Sequence, residues 1–131
     1  MLPDYALASL ADLALDLGKS VDVAPLLTES LGLAQDLGRP LEIARVLELF
    51  SGAAAAQNHF RRSVRLEAAA GRIRRVIGEP IPPDYRARLD RRLVRTREAI
   101  GEELVKKVSD DDQAMTLDQA IALARSPILD D

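Results

Sequence analysis

Two four-residue stretches, forty positions apart, constrain this chain more than any other feature. Leu37-Gly38-Arg39-Pro40 and Ile77-Gly78-Glu79-Pro80 share one form: an aliphatic residue, a glycine, a charged residue and a proline. Glycine takes up the left-handed backbone that closes a helix, and a proline two positions on does not continue one. The same offset carries Leu17-Gly18 onto Gln57-Asn58, which again ends in a residue tolerant of positive φ. Between these breakers Leu7 maps to Leu47, Leu10 to Phe50, Ala14 to Ala54, Leu26 to Leu66 and Leu33 to Ile73. A repeated unit of two helices and about forty residues is the plan of a helical solenoid.

Composition narrows the class. The chain has 131 residues, 47% apolar and 30% charged, the ordinary balance of one soluble globular domain. Aromatics make up only 3%, so a core must come from Leu, Ile, Val and Ala, which suit helices packed closely on helices. No segment alternates apolar and polar residues for long, so strands are not expected. The expected fold is all-α. The absence of cysteine excludes disulfides, thiolate zinc sites and cysteine nucleophiles. No run approaches the roughly 18 apolar residues of a membrane span, and Met1-Leu2-Pro3-Asp4 lacks the basic region of a signal peptide. These features predict a cytoplasmic protein without membrane contact.

The first helix is expected from about Asp4 to Leu17, with Leu7, Leu10, Ala14 and Leu17 on one face and Leu13 and Ala6 widening it. A helix so broadly apolar needs neighbours on two sides. The second runs to about Leu37. With Asp22 as its N-cap, Pro25 falls at the third helical position, where no N–H partner is lost. A start at Ser20 would put that proline a turn deeper and bend the helix. The third helix spans about Leu41 to Ala56. The fourth spans about His59 to Ile77, with Asn58 as cap, Phe60, Val64, Leu66, Ala69, Ala70, Ile73 and Ile77 inside and its arginines outside. Pro80, Pro82 and Pro83 stop it. A fifth helix follows from Asp84 to about Ile100, anchored by Leu89, Leu93 and Ile100 and stopped by Gly101. A short sixth runs from Glu102 to about Val108, and Ser109 to Gln113 reads as a solvated loop. Thr116-Leu117-Asp118-Gln119 is a capping box that opens a last helix bearing Leu117, Ile121 and Leu123. The tail Ile128–Asp131 is expected to be loose.

The net charge of −3 conceals an acid–base–acid pattern. Residues 1–58 carry 3 basic and 8 acidic side chains, residues 59–97 carry 12 arginines and 4 acids, and residues 98–131 carry 3 basic and 9 acidic ones. A basic centre of this kind can mark a nucleic-acid footprint. No aromatics are interleaved for base stacking, so the favoured account is basic helices lying against acidic neighbours.

Residues that bear chemistry are few. Gly18-Lys19-Ser20 resembles the end of a phosphate loop, but Leu13 stands where the motif needs glycine, and it belongs to a helix. His59 is the only histidine, and a metal site needs more ligands. Asp110-Asp111-Asp112 lacks the alternating acids, glycine and terminal glutamate of a calcium loop. Arg61, Arg65 and Arg72 follow one helix face, and Arg88, Arg91, Arg92 and Arg95 cover another helix. The long proline-rich connection before that second helix is not the short turn of a helix-turn-helix, which argues against direct DNA reading. No catalytic, metal or cofactor-binding residue is therefore expected, and binding residues are not separable from core residues.

Arg-x-x-Arg-Leu-x-Ala-Ala-Ala at Arg62–Ala70, Ile73-Arg74 and the Gly-x-Pro-x-Pro-Pro turn of Gly78–Pro83 carry a family resemblance. It continues through the arginine-rich helix Tyr85–Ala99, Ile100-Gly101-Glu102-Glu103-Leu104 and Thr116-Leu117-Asp118-Gln119-Ala120-Ile121, while Leu10–Gly18 and Leu26–Gly38 look like a preceding repeat. Together these resemble the end of the helical-repeat region in large bacterial transcription regulators of the LuxR and AfsR type. The chain departs from that pattern at Lys106–Gln113, where an alanine- and tryptophan-containing turn would stand. The resemblance implies a repeat region that binds effectors or protein partners, and no catalytic residue carries over.

The expected architecture is one tetratricopeptide-like domain, a right-handed superhelix of antiparallel helix pairs. Repeat one covers about residues 4–38, repeat two about 41–78, and capping helices about 84–125. The expected function is non-catalytic: binding a protein partner or small effector, with self-association through an over-apolar Leu7/Leu10/Leu13/Leu15 side of the first helix. The alternative is a small stand-alone nucleic-acid-binding protein that uses its arginine-rich helices.

Overall fold

A computed structural model describes residues 4–20, 23–112 and 115–126. Among these there are seven helices and no strand: α1 (Asp4–Asp16), α2 (Ala24–Asp36), α3 (Pro40–Ala56), α4 (Phe60–Ile77), α5 (Pro83–Ile100), α6 (Glu102–Asp112) and α7 (Leu117–Arg125). The all-α expectation holds.

The first four helices end alike. Gly18, Gly38, Asn58 and Gly78 have φ of 76°, 62°, 66° and 72°, one left-handed residue every twenty positions. After each, the next amide turns back to a carbonyl five residues earlier: Lys19 to Ala14, Arg39 to Ala34, His59 to Ala54 and Glu79 to Arg74, at 2.8–3.0 Å. That bond satisfies carbonyls the helix leaves open. Asn58 is therefore the closing residue of α3 and not the cap of α4, whose N-cap is His59. Prolines start three of the four helices that follow, Pro40 and Pro83 at their first residue and Pro25 at the second position of α2, while α4 opens on Phe60. The N-cap of α2 is Val23, and the expected cap Asp22 lies outside the described residues.

The α6 helix reaches Asp112, so Ser109–Asp112 is helical where a loop was expected. Val108, buried at 8% exposure, holds the last turns against the body despite their weak helix formers. The capping box of α7 forms as anticipated. Gln119 N donates to Thr116 Oγ1 at 3.1 Å, and Thr116 N donates to Gln119 Oε1 at 2.9 Å. Thr116→Ala is expected to lower stability by about 1 kcal/mol. A thermal melt checks this, and a midpoint within error of the parent would mean that α7 does not share the cooperative unit.

The core centres on α3, which packs on α1, α2, α4, α5 and α7. From Ile43 to Ala55 every residue of α3 except Arg45 is buried. Leu47 and Leu49 of α3 and Leu66 of α4 are almost fully enclosed, each side chain contributing about 1.5–3 kcal/mol. The small run Ser51-Gly52-Ala53-Ala54-Ala55 lets neighbours come close. A Cβ at Gly52 would lie 3.2 Å from Arg92 Cδ of α5 and 3.6 Å from Leu15 Cδ1 of α1. The buried Ser51 hydroxyl donates to Ser63 O at 2.7 Å and lies 3.1 Å from Ser63 Oγ, which accepts from Thr96 Oγ1 at 3.4 Å. A chain of hydroxyls thus pins α3, α4 and α5 together where polar groups would otherwise be costly. Leu89 and Leu93 of α5 complete a smaller cluster with Ala55.

The α1 side chains divide differently from the sequence expectation. Leu7, Ala8 and Ala11 are buried and Leu15 packs on the core, whereas Leu10, Leu13 and Leu17 are 46%, 56% and 63% exposed. The uncovered face is Leu10/Leu13/Leu17. Leu7 and Leu15 do not belong to it, because α2 and α3 both pack on their side of the helix.

Candidate functional site

Arginine shapes much of the polar architecture: Arg45, Arg74, Arg86, Arg88, Arg92 and Arg97 each meet a carboxylate. Arg74, expected outside, is 5% exposed and paired bidentately with Glu48, itself 1% exposed: Nε to Oε2 at 2.6 Å and Nη2 to Oε1 at 3.0 Å. Its Nη1 donates to Glu79 O at 3.2 Å, just past the closure of α4. One side chain thus joins α3, α4 and the turn that follows. Burial pushes the Glu48 carboxyl above its ordinary range, and Arg74 and the Tyr85 hydroxyl pull it partly back. Burial, with the Glu48 and Asp12 carboxylates nearby, raises the Tyr85 phenol and keeps it protonated.

A second cluster bridges α1 and α5 across α3. Arg92 donates to both the carboxylate and the carbonyl of Asp12, the latter at 3.1 Å, and to Asp16 Oδ1 at 2.8 Å. Arg88 donates to Asp12 Oδ2 at 3.0 Å and lies over the Tyr85 ring, 5.4 Å from its centroid. Arg92 Nη1 is buried without a hydrogen-bond partner among the described residues. A third set joins α5 to α4: Arg86 donates to Asp90 and to Glu67, and Arg97 donates to Glu67 at 3.0 Å.

The α7 helix is held by its main chain. Arg62 Nη2 donates to Ala124 O at 2.9 Å and to Ser126 O at 3.1 Å, and Arg62 Nη1 donates to Ser126 Oγ at 3.1 Å. Arg72 Nη1 donates to Met115 O at 2.5 Å, ahead of the other end. Between these grips Ala120, Ile121 and Ala124 enter the main core.

The remaining sequence candidates are dispersed. Gly18-Lys19 lies in the turn that ends α1, and Leu13, where a phosphate loop requires a glycine, is inside that helix. His59 is half-buried at the start of α4. Asp110 is exposed on the last turns of α6. The arginine faces also split. Arg72 holds α7, Arg88 and Arg92 hold α1, Arg95 donates to Asn58 Oδ1 at 2.5 Å, and Arg61 and Arg91 are exposed. No group of three or more His, Cys, Asp or Glu side chains among the described residues is arranged to hold a metal ion. No helix among the described residues is long and apolar enough to cross a membrane.

What sequence reasoning missed is the inward turn of Arg74, Arg92, Arg62 and Arg72. The available signal was local: Arg74 sits on the same α4 face as Ala70 and Leu66, four and eight positions back. What the surface offers for binding is the exposed leucine stripe of α1 and the space around α7. No family model matches the chain, and neither a curated protein nor a solved structure matches it.

Proposed function

We propose that this chain is a non-catalytic, tetratricopeptide-like interaction module of the kind found in large bacterial transcription regulators. On this reading its helix pairs stack as a right-handed superhelix, and its work is to bind protein. The observation that carries it is a contrast between two equivalent positions. Phe50, in the second pair, is 8% exposed within the main core that includes α2, whereas its counterpart Leu10, in the first pair, is 46% exposed beside Leu13 and Leu17. The first pair offers the stacking surface that the second pair has filled. Three leucines at positions i, i+3 and i+7 make a stripe that fits another helix. The arginine-rich stretch and the proline turn that resemble the regulators add support from sequence.

The rival reading, a nucleic-acid-binding protein, asks its arginines to face a phosphate backbone. Arg88 and Arg92 are instead spent on Asp12 and Asp16, which weakens it.

The module is expected to self-associate through α1 with rising concentration in sedimentation velocity. Leu13→Asp is expected to weaken that association by at least about thirtyfold, the equivalent of about 2 kcal/mol of lost burial at a contact centre. A parent chain that stays monomeric at high concentration would remove the stacking reading.

A further inference from the structure

Ala69, Arg72, Ile73, Val76 and Ile77 share one face of α4, at the spacing i, i+3, i+4, i+7 and i+8. Cover over this face gives out towards the end of the helix. Ala69 is buried, Ile73 is half-buried and Val76 is 77% exposed. An open cavity of about 310 Å³ lies there, between the last turns of α4, Pro40 at the start of α3, and Met115 and Leu117 at the start of α7. Leu117 is exposed as well, so two aliphatic side chains stand uncovered at its mouth.

The wall carries a single charge. Among the described residues that line it, Arg72 is the only ionised one. Thr116 is the other polar side chain, and its hydroxyl is taken up by Gln119 N in the cap of α7. Arg72 donates from Nη1 to Met115 O at 2.5 Å, and its Nε and Nη2 meet no acceptor among the described residues. A guanidinium has five N–H donors, so most of these remain for a ligand. Beside apolar walls a charge-assisted hydrogen bond to a carboxylate is stronger than in open water.

We propose that this cavity binds a small amphipathic carboxylate, its anionic head on Arg72 and its aliphatic body over Ile73, Val76, Ile77 and Leu117. The lone cation selects a monoanion, and the remainder of the wall selects an apolar body. At the roughly 30 Å³ that a water molecule occupies in the liquid, about 310 Å³ takes about ten non-hydrogen atoms, the size of octanoate. The ligand leaves α7 seated and adds to the cover that α7 begins. None of the exposed leucines of α1 lines the cavity, so the inference stands apart from the stacking reading.

The full chain, methyl-labelled at isoleucine, leucine and valine, is titrated with octanoate and, as a charge-reversed probe, with octylammonium, both followed by NMR. Octanoate is expected to saturate one site, shifting the methyls of Ile73, Val76, Ile77 and Leu117 and leaving those of Leu10, Leu13 and Leu17 in place. Octylammonium should bind at least about tenfold more weakly, because Arg72 repels it. Arg72→Met should weaken octanoate about tenfold or more, the loss of a charge-assisted bond, and Arg72→Lys should recover part of that. Arg72 also holds Met115, so a variant free of that contact gives an independent measure. Val76→Glu, at the exposed mouth, should keep the cooperative melting of the parent and weaken octanoate about tenfold or more. Octanoate that moves no methyl of the cavity would overturn the proposal, shifts confined to the α1 leucines included. Octylammonium binding as tightly as octanoate would sink it too, leaving only an apolar surface, and so would an unchanged affinity in Val76→Glu.

Discussion

Arg74→Met is expected to cost the fold about 3–5 kcal/mol at neutral pH, because it strips the partner from a carboxylate that is almost wholly enclosed. The loss should depend on pH, and its sign follows from Glu48. Burial holds the Glu48 carboxyl above the ordinary value of 4.5 even with Arg74 in place. The folded chain therefore binds that proton more tightly than the unfolded chain does. Stability from this group is fullest below the unfolded value and declines as pH rises through the folded one. Without Arg74 two lowering influences vanish and the carboxyl moves further up. Part of the lost stability should thus return when the variant is measured at pH 5. Adding Glu48→Leu removes the orphaned acid, and the double variant should come back to within about 1 kcal/mol of the parent. Urea denaturation of the three chains at pH 5 and pH 7 checks all of this. A single variant as stable as the parent at pH 7 would show that the pair contributes nothing.

Gly52 should give opposite results with two substitutions. The nearest neighbour of an added Cβ is Arg92 Cδ at 3.2 Å, part of a flexible stem that can yield by a few tenths of an ångström. Gly52→Ala gains up to about 1 kcal/mol of helix propensity and is expected to be neutral or slightly stabilising. Gly52→Leu has no such outlet, since Leu15 Cδ1 lies on its other side at 3.6 Å. It must lift Arg92 away from Asp12 and Asp16, and overpacking with lost charged hydrogen bonds should together cost about 3 kcal/mol. In an Arg92→Met background the same leucine should cost less, because the ion pairs it would break are already gone. Thermal melts of the four chains measure the coupling. Strict additivity would mean that the two residues do not act on each other.

The two substitutions also mark where sequence reading succeeds and where it ends. Helix ends were legible because a glycine or asparagine at positive φ and a proline at a first turn act on their own backbone and need no neighbour. The capping box of Thr116 belongs to the same class. Burial was harder to read, since it is a property of pairs of helices. Leu7 and Leu10 are alike in sequence, yet one is enclosed and one is open. An arginine such as Arg74 is written like a surface residue, and only the arrival of Glu48 from another helix makes its position inside tenable. The capping box announced a helix at Leu117 without saying against which helices it would lie. At Ser109–Asp112 local preference pointed to a loop, and the docking of Val108 overrode it.

The even spacing of the four left-handed closures makes the first eighty residues a matter of phase. One extra residue inside α3 would turn every later position of that helix by about 100°. Inserted between Glu48 and Ser51, it would leave Glu48 facing Arg74 while Ser51 swung away from Ser63, or the reverse. Such a chain could keep one of its two buried polar links but not both. The same residue added between Glu79 and Pro82, after the last closure and before α5, would turn nothing. Length changes in this fold should be tolerated at its turns and refused within its rods.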